Sequence, residues 1–315
     1  MGVKRVGTTK TIVSSPKVKR GAKPAINALA LPTQAKAMNT DFFAYTTMVY
    51  GRPGIGKTTF MSSFPSSIFF SCERVSEGIS CFDFNSDNGG VYDWDIFREG
   101  VKLLKKTKKF KTVCIDGISA AYAMCLDWVC NDLDIPYPRD NDFGKSWRAV
   151  KNEFIEQLII LRKTGRKLAF SCHADEKQIV THSGEKFTVI QPLLSGGAYR
   201  VMKEITDFVL YVDFVKIDGK SERVIFTTGD EVIDAKHAEL GNGTFPKYLP
   251  LNHENGAKVL ADGFKGVDVG IDPATIKADK RTSKSVEAAI KKEEITRKRE
   301  RVRGTGADRK KTKKK

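Results

Sequence analysis

The chain has 315 residues, 40% of them apolar, and a formal net charge of +16. Such a length supports one large domain with extensions around a substantial core. No run of eighteen apolar residues occurs, which excludes a membrane-spanning helix, and the opening MGVKRVGTTK lacks the apolar stretch of a secretory signal, so a cytoplasmic protein with no membrane partner is expected.

The charge is uneven. Residues 1–40 hold eight Lys/Arg and no acid, and residues 277–315 hold seventeen Lys/Arg against six acids, which leaves the middle at −3. A mildly acidic globule between two basic arms is expected: residues 1–40 without fixed structure, a core over 41–272, and a basic tail over 273–315 that is disordered or partly helical and ends in a lysine run. Such arms suit polyphosphate binding by counterion release. The six cysteines (Cys72, Cys81, Cys114, Cys125, Cys130, Cys172) form no C-x-x-C pair, so reduced, buried thiols are expected.

In chain order, Tyr45–Tyr50 (YTTMVY) reads as a strand ending at Gly51, followed by a helix from Thr58 that stops before Pro65. Ser67–Cys72 (SIFFSC) is a second apolar strand. Trp94, Phe97, Val101 and Leu104 recur at helical spacing, and KTVCID from Lys111 is the next strand. A helix over Ser119–Leu133, a Pro136–Gly144 loop, a helix carrying Trp147, Val150, Phe154, Leu158 and Leu161, and a strand over Lys167–Cys172 complete the alternation. Helix alternating with apolar strand predicts an α/β fold, a mainly parallel twisted sheet flanked by helices. From Phe208 two close strands, DFVLYVDFV and RVIFTT, predict an antiparallel pair added at one edge.

The stretch YGRPGIGKTT matches G-x-x-x-x-G-K-[ST] through Gly51, Gly56, Lys57 and Thr58, with the strand before and helix after that the motif needs. Glycines let backbone N–H groups curl around a phosphate, and helix N-terminal amides face the anion. The loop Gly51, Arg52, Pro53, Gly54, Ile55, Gly56, Lys57, Thr58 and Thr59 is therefore the expected nucleotide cradle, with ATP and Mg2+ as ligands. Lys57 reaches the terminal phosphates, the Thr58 hydroxyl meets the metal, and Asp116, ending the strand Val113–Asp116, is the second metal group. Asp116 is followed by Gly117, where many ring-forming ATPases carry a glutamate. Glu73, at the tip of the second strand, is the candidate general base that orients the attacking water.

This arrangement resembles the RecA-like P-loop NTPase core, in which a glutamate follows that strand. The resemblance implies that His173, at the tip of LAFSC, senses the γ-phosphate. It also implies that Lys236, in DAKH, reaches a neighbouring subunit's nucleotide, although the A-K-x-R pattern of related phage ATPases and hexameric helicases is broken by Ala238. Residues 41–251 resemble phage proteins reduced to a RecA core, a group that includes Sak-type single-strand annealing proteins. By that resemblance the protein is an ATPase acting on single-stranded DNA in recombination or replication. It would assemble as a homo-oligomeric ring or filament, with a single-strand binding protein as a further partner, in the host cytoplasm. A helicase or helicase loader, and a nucleotide-gated scaffold, are the alternative roles.

Two segments occupy the places of DNA-binding loops. One is Pro136–Lys145, offering Tyr137, Arg139, Phe143, Lys145, Trp147 and Arg148, and the other is Lys177–Ser195, with Lys177, His182, Lys186 and Phe187. Trp147 also fits a buried helix stripe, and the second segment reads equally as a plain hairpin around Ser183 and Gly184.

Overall fold

The computed structural model describes residues 39–277 except 75–76, 139–141, 181–183, 185, 238–244 and 253–254, together with residues 31, 33–35 and 37. Most of each basic arm, Arg139 and His182 lie outside the described residues. Among the described residues ten strands form in chain order: β1 (Thr47–Gly51), β2 (Ser67–Ser71), β3 (Phe82–Asp83), β4 (Thr112–Asp116), β5 (Lys167–Val180), β6 (Lys186–Pro192), β7 (Phe208–Ile217), β8 (Lys220–Phe226), β9 (Tyr248–Pro250) and β10 (Ile276–Lys277). The α-helices are α1 (Lys57–Ser62), α2 (Trp94–Lys105), α3 (Ile118–Asp132), α4 (Lys145–Lys163), α5 (Gly196–Ile205) and α6 (Lys258–Phe264).

The sheet runs β3-β2-β4-β5-β1-β7-β8-β9. Pairings from β3 to β7 are parallel, and β8 and β9 are antiparallel. The central strands β1, β2 and β4 are buried on both faces, which is why they read as near-continuous apolar runs rather than alternating ones. Successive residues feed opposite layers: Met48 and Tyr50 pack with α2, α3, α4 and α5, whereas Val49 packs with Phe60 and Met61 of α1 and Leu260 and Phe264 of α6.

The helices form for legible reasons. Asp93 caps α2 by accepting from the Ile96 N–H at 2.8 Å, and Trp94, Phe97, Val101 and Leu104 give it one buried face. Trp94 stacks on Phe97 with centroids 4.5 Å apart and donates its indole N–H to Glu153 of α4 at 2.9 Å. Replacing Phe97 by Ala would cost about 3–5 kcal/mol by the usual penalty for emptying an aromatic core site.

Three expectations change. The pair β7/β8 is not wholly an edge addition, because Phe208–Val212 of β7 lies parallel to β1, and the antiparallel edge begins only with β8. Strand β5 runs eight residues past Cys172, because Ala174–Val180 leaves the parallel sheet and pairs with β6 as a hairpin. Ile276 and Lys277, assigned to the tail by sequence, pair with Ile217 and Lys216 of β7. Of the cysteines, all but half-buried Cys81 are buried, and all six are free thiols.

Candidate nucleotide site

The parallel strands all end at one edge, where their C-terminal tips place the candidate residues side by side. Strand β5 lies between β1 and β4, with Gly51 in register with His173, so the histidine tip stands between the phosphate loop and Asp116. Gly56, at φ +96°, turns the loop into α1, a backbone region costly for any residue with a Cβ.

Lys57 is 9% exposed, and its Nζ donates to the carbonyls of Gly51 at 3.1 Å and Arg52 at 3.0 Å, which closes the loop on itself. Burial holds the ammonium below the ordinary lysine range, while Asp116 and Glu73 pull it back up. Nζ also lies 3.4 Å from His173 Nδ1, and His173 Nε2 lies 3.0 Å from Glu73 Oε2. An ammonium only donates, so Nδ1 accepts and the imidazole proton sits on Nε2, donating to Glu73. Lys57, His173 and Glu73 thus form one chain of hydrogen bonds.

A second chain holds the metal candidates. The Thr58 hydroxyl donates to Asp116 Oδ2 at 2.8 Å, the Ser171 hydroxyl donates to Asp116 Oδ1, and Ser171 Oγ accepts from the Gly117 N–H at 2.8 Å. The donor set is hard oxygen, and among the described residues no group of three or more His, Cys, Asp or Glu side chains could hold a metal. One hydroxyl and one carboxylate fit Mg2+, which keeps most of its shell as water and substrate phosphate.

Gly117 explains the missing glutamate after Asp116. It sits at φ +88°, and a Cβ there would lie 2.4 Å from Glu73 Cγ. The space that a side chain at 117 would fill is taken by Glu73 from the neighbouring strand.

The sequence-predicted residues Lys57, Thr58, Asp116, Glu73 and His173 are therefore brought together, and Lys236 is not. Its backbone bridges Val209, three residues before the Val212 that flanks Gly51, and its Nζ donates to the Lys203 carbonyl at 2.5 Å. Arg52 is tied back by Asp213 of β7 at 2.7 Å.

Two residues escaped the sequence reading. Ser171 is hidden inside an apolar strand, and only its place two residues before His173 could have marked it. Arg223 of β8 arrives from far along the chain: its Nη1 lies 2.8 Å from where a Gly56 Cβ would stand, its buried Nε has no hydrogen-bond partner, and among the described residues no carboxylate pairs with it. It lines a recess of about 160 Å³ with Gly56, Thr59, Ser63, Asn252 and Asn255.

Among solved structures, the KaiC-like protein PH0186 of Pyrococcus horikoshii OT3 is similar, with a TM-score of 0.37 and 16% identity over 66% of this chain and 85% of that chain. No curated protein matches the chain. The family model described as "AAA domain" matches residues 44–238, more than half of the chain, and the protein belongs to that family of P-loop nucleotide-binding domains.

Proposed function

We propose that the protein binds ATP with magnesium, hydrolyses it, and uses the cycle to act on single-stranded DNA in phage recombination or replication, pairing or exchanging strands. The observation that carries the ATPase reading is the convergence of Lys57, Thr58, Asp116, Glu73 and His173 at one edge of the sheet. Thr58 and Asp116 would hold the magnesium ion, which supplies charge neutralisation on the phosphates.

The protein's own groups do the rest. The loop amides and Lys57 fix the triphosphate, and Lys57 exchanges its contact with His173 for a phosphate oxygen. Released from that tether, His173 reports the occupied site, and Glu73 orients a water for in-line attack and takes its proton. The recess beside Thr59 takes the base and sugar end of the nucleotide, with the unpaired Arg223 guanidinium along it.

The single-strand reading draws support from strand β5. Its inner half ends in His173, and its outer half is one arm of the projecting β5–β6 hairpin, with Lys177, Lys186, Ile179 and Val180 exposed. A shift of His173 is therefore passed along one strand into an exposed, partly apolar arm whose Lys177 and Lys186 are the cations offered to phosphate and whose base carries Asp175 and Glu176. Exposed Tyr137 and Phe143 belong to the α3–α4 connection, the other expected DNA segment.

The test is ATP turnover with and without single-stranded DNA in the wild type, Lys57→Ala and Glu73→Gln. The reading expects DNA-stimulated turnover in the wild type, strongly weakened nucleotide binding in Lys57→Ala, and near-normal binding with strongly reduced turnover in Glu73→Gln. Unchanged turnover in Glu73→Gln removes the assigned base, and turnover indifferent to DNA removes the strand-pairing role.

A further inference from the structure

The opposite edge of the sheet, where the strands begin, is built from cations. Residues 100–111 and 157–167, the ends of α2 and α4 with the turns into β4 and β5, contain ten Lys/Arg and no acid. Lys102, Lys105, Arg162 and Lys163 lie in last helical turns, where the helix dipole favours them. That argument does not reach Lys106, Lys108, Lys109, Lys111, Arg166 or Lys167. Lys102 pairs with Glu99, and among the described residues none of the other nine pairs with a carboxylate.

Six of these cations, Lys105, Lys108, Lys111, Lys163, Arg166 and Lys167, line two adjoining recesses of about 480 and 360 Å³, both bounded by Lys108, Thr164 and Arg166. Among the described residues Asp41 is the one acid lining the larger. Arg166 is 8% exposed; its guanidinium donates to the Thr107 carbonyl, and its buried Nε has no partner. A buried arginine donor left unsatisfied beside an open recess is costly unless an acceptor arrives from outside. Next to it, Phe82 is 55% exposed, with Lys109 Nζ 4.1 Å from its ring centroid and 5.3 Å from that of Phe110.

We propose that this edge binds the sugar-phosphate backbone of a single nucleic-acid strand, phosphates meeting Lys108, Lys111, Lys163 and Arg166 and bases stacking on Phe82. An exposed ring among cations favours a strand with splayed bases over an acidic peptide, which offers carboxylates but no ring faces. The site is remote from the ATP edge, at the other end of the same strands. It stands whether or not ATP is hydrolysed. With the hairpin holding one strand, it gives the protein a second strand site, the arrangement that strand pairing needs.

The test uses the full chain. Lysine-reactive labelling read by mass spectrometry is run with a homothymidine oligonucleotide and, separately, with polyglutamate at equal charge. Protection of Lys108, Lys111 and Lys163 by the oligonucleotide alone is the expected result; no protection, or equal protection by polyglutamate, overturns the proposal. In parallel, the triple variant Lys108→Glu, Lys111→Glu, Lys163→Glu should lower the salt slope of oligonucleotide binding by about 2, since each phosphate neutralised on a single strand is worth roughly 0.7. Phe82→Ala should weaken binding by about fivefold or more with an unchanged slope. Turnover without DNA stays at the wild-type rate in both. A triple variant with wild-type slope contradicts the site.

Discussion

The two edges of one parallel sheet carry opposite chemistry. Where the strands end, cations and acids satisfy one another: Lys57 with loop carbonyls and His173, His173 with Glu73, Thr58 and Ser171 with Asp116. Where they begin, ten cations crowd together with almost no acids to answer them. Parallel alignment makes this division possible, because every tip falls on one side and every start on the other. An internally paired edge is poised for chemistry on a small ligand that can break and replace its bonds. An unpaired edge leaves its cations open to an outside polyanion.

That contrast can be broken at several points, the largest effect being expected at Lys57. Lys57→Ala removes both the phosphate contact and the closure of the loop on Gly51 and Arg52. Calorimetry should show ATP affinity lower by about 100-fold or more, in keeping with a buried charge-assisted hydrogen bond of ~3 kcal/mol. Glu73→Gln should keep affinity within a few-fold while turnover falls by about 10² to 10⁴, the usual contribution of a positioned base.

A finer probe is Gly117→Ala. The methyl would collide with Glu73 Cγ and the left-handed backbone would be strained, so turnover should fall by about tenfold or more with a stability loss of about 1–2 kcal/mol in denaturant melts. Normal turnover in that variant would mean that Glu73 can act from another position.

The smallest effect is expected from pH. Burial depresses the Lys57 pKa, so in the free protein the ammonium loses its proton at lower pH than an exposed lysine does. Phosphate prefers the charged form, so binding takes up a proton in that range, and ATP affinity should fall as alkaline pH rises through it. An affinity flat up to the ordinary lysine range would place Lys57 in a more solvated setting.

Much of the ATP edge was legible in the sequence, since its residues sit at strand tips next to glycines and the phosphate loop is local. Gly51 to Thr59 are contiguous, and Asp116 and His173 each close an apolar run. Ser171 was not legible, because a serine inside SC reads as filler until β5 is known to lie beside β4. Arg223 required the antiparallel return of β8, a contact that no local pattern announces. The full length of the hairpin is not legible because Ala174–Val180, its first arm, mixes charged and apolar residues, which an arm of a two-stranded ribbon tolerates and a central parallel strand does not. The cationic edge was invisible because its two segments lie far apart in sequence and each reads as an ordinary basic helix end.

The central claim is that the loop from Gly51 to Thr59 encloses a nucleoside triphosphate with Glu73 aligned on it. The direct measurement is calorimetric titration of the purified full chain with a non-cleavable ATP analogue, with and without magnesium, in the wild type and Glu73→Gln. The account predicts magnesium-dependent binding of one nucleotide per chain with similar affinity in both proteins. Absence of magnesium-dependent heat in the wild type would contradict it.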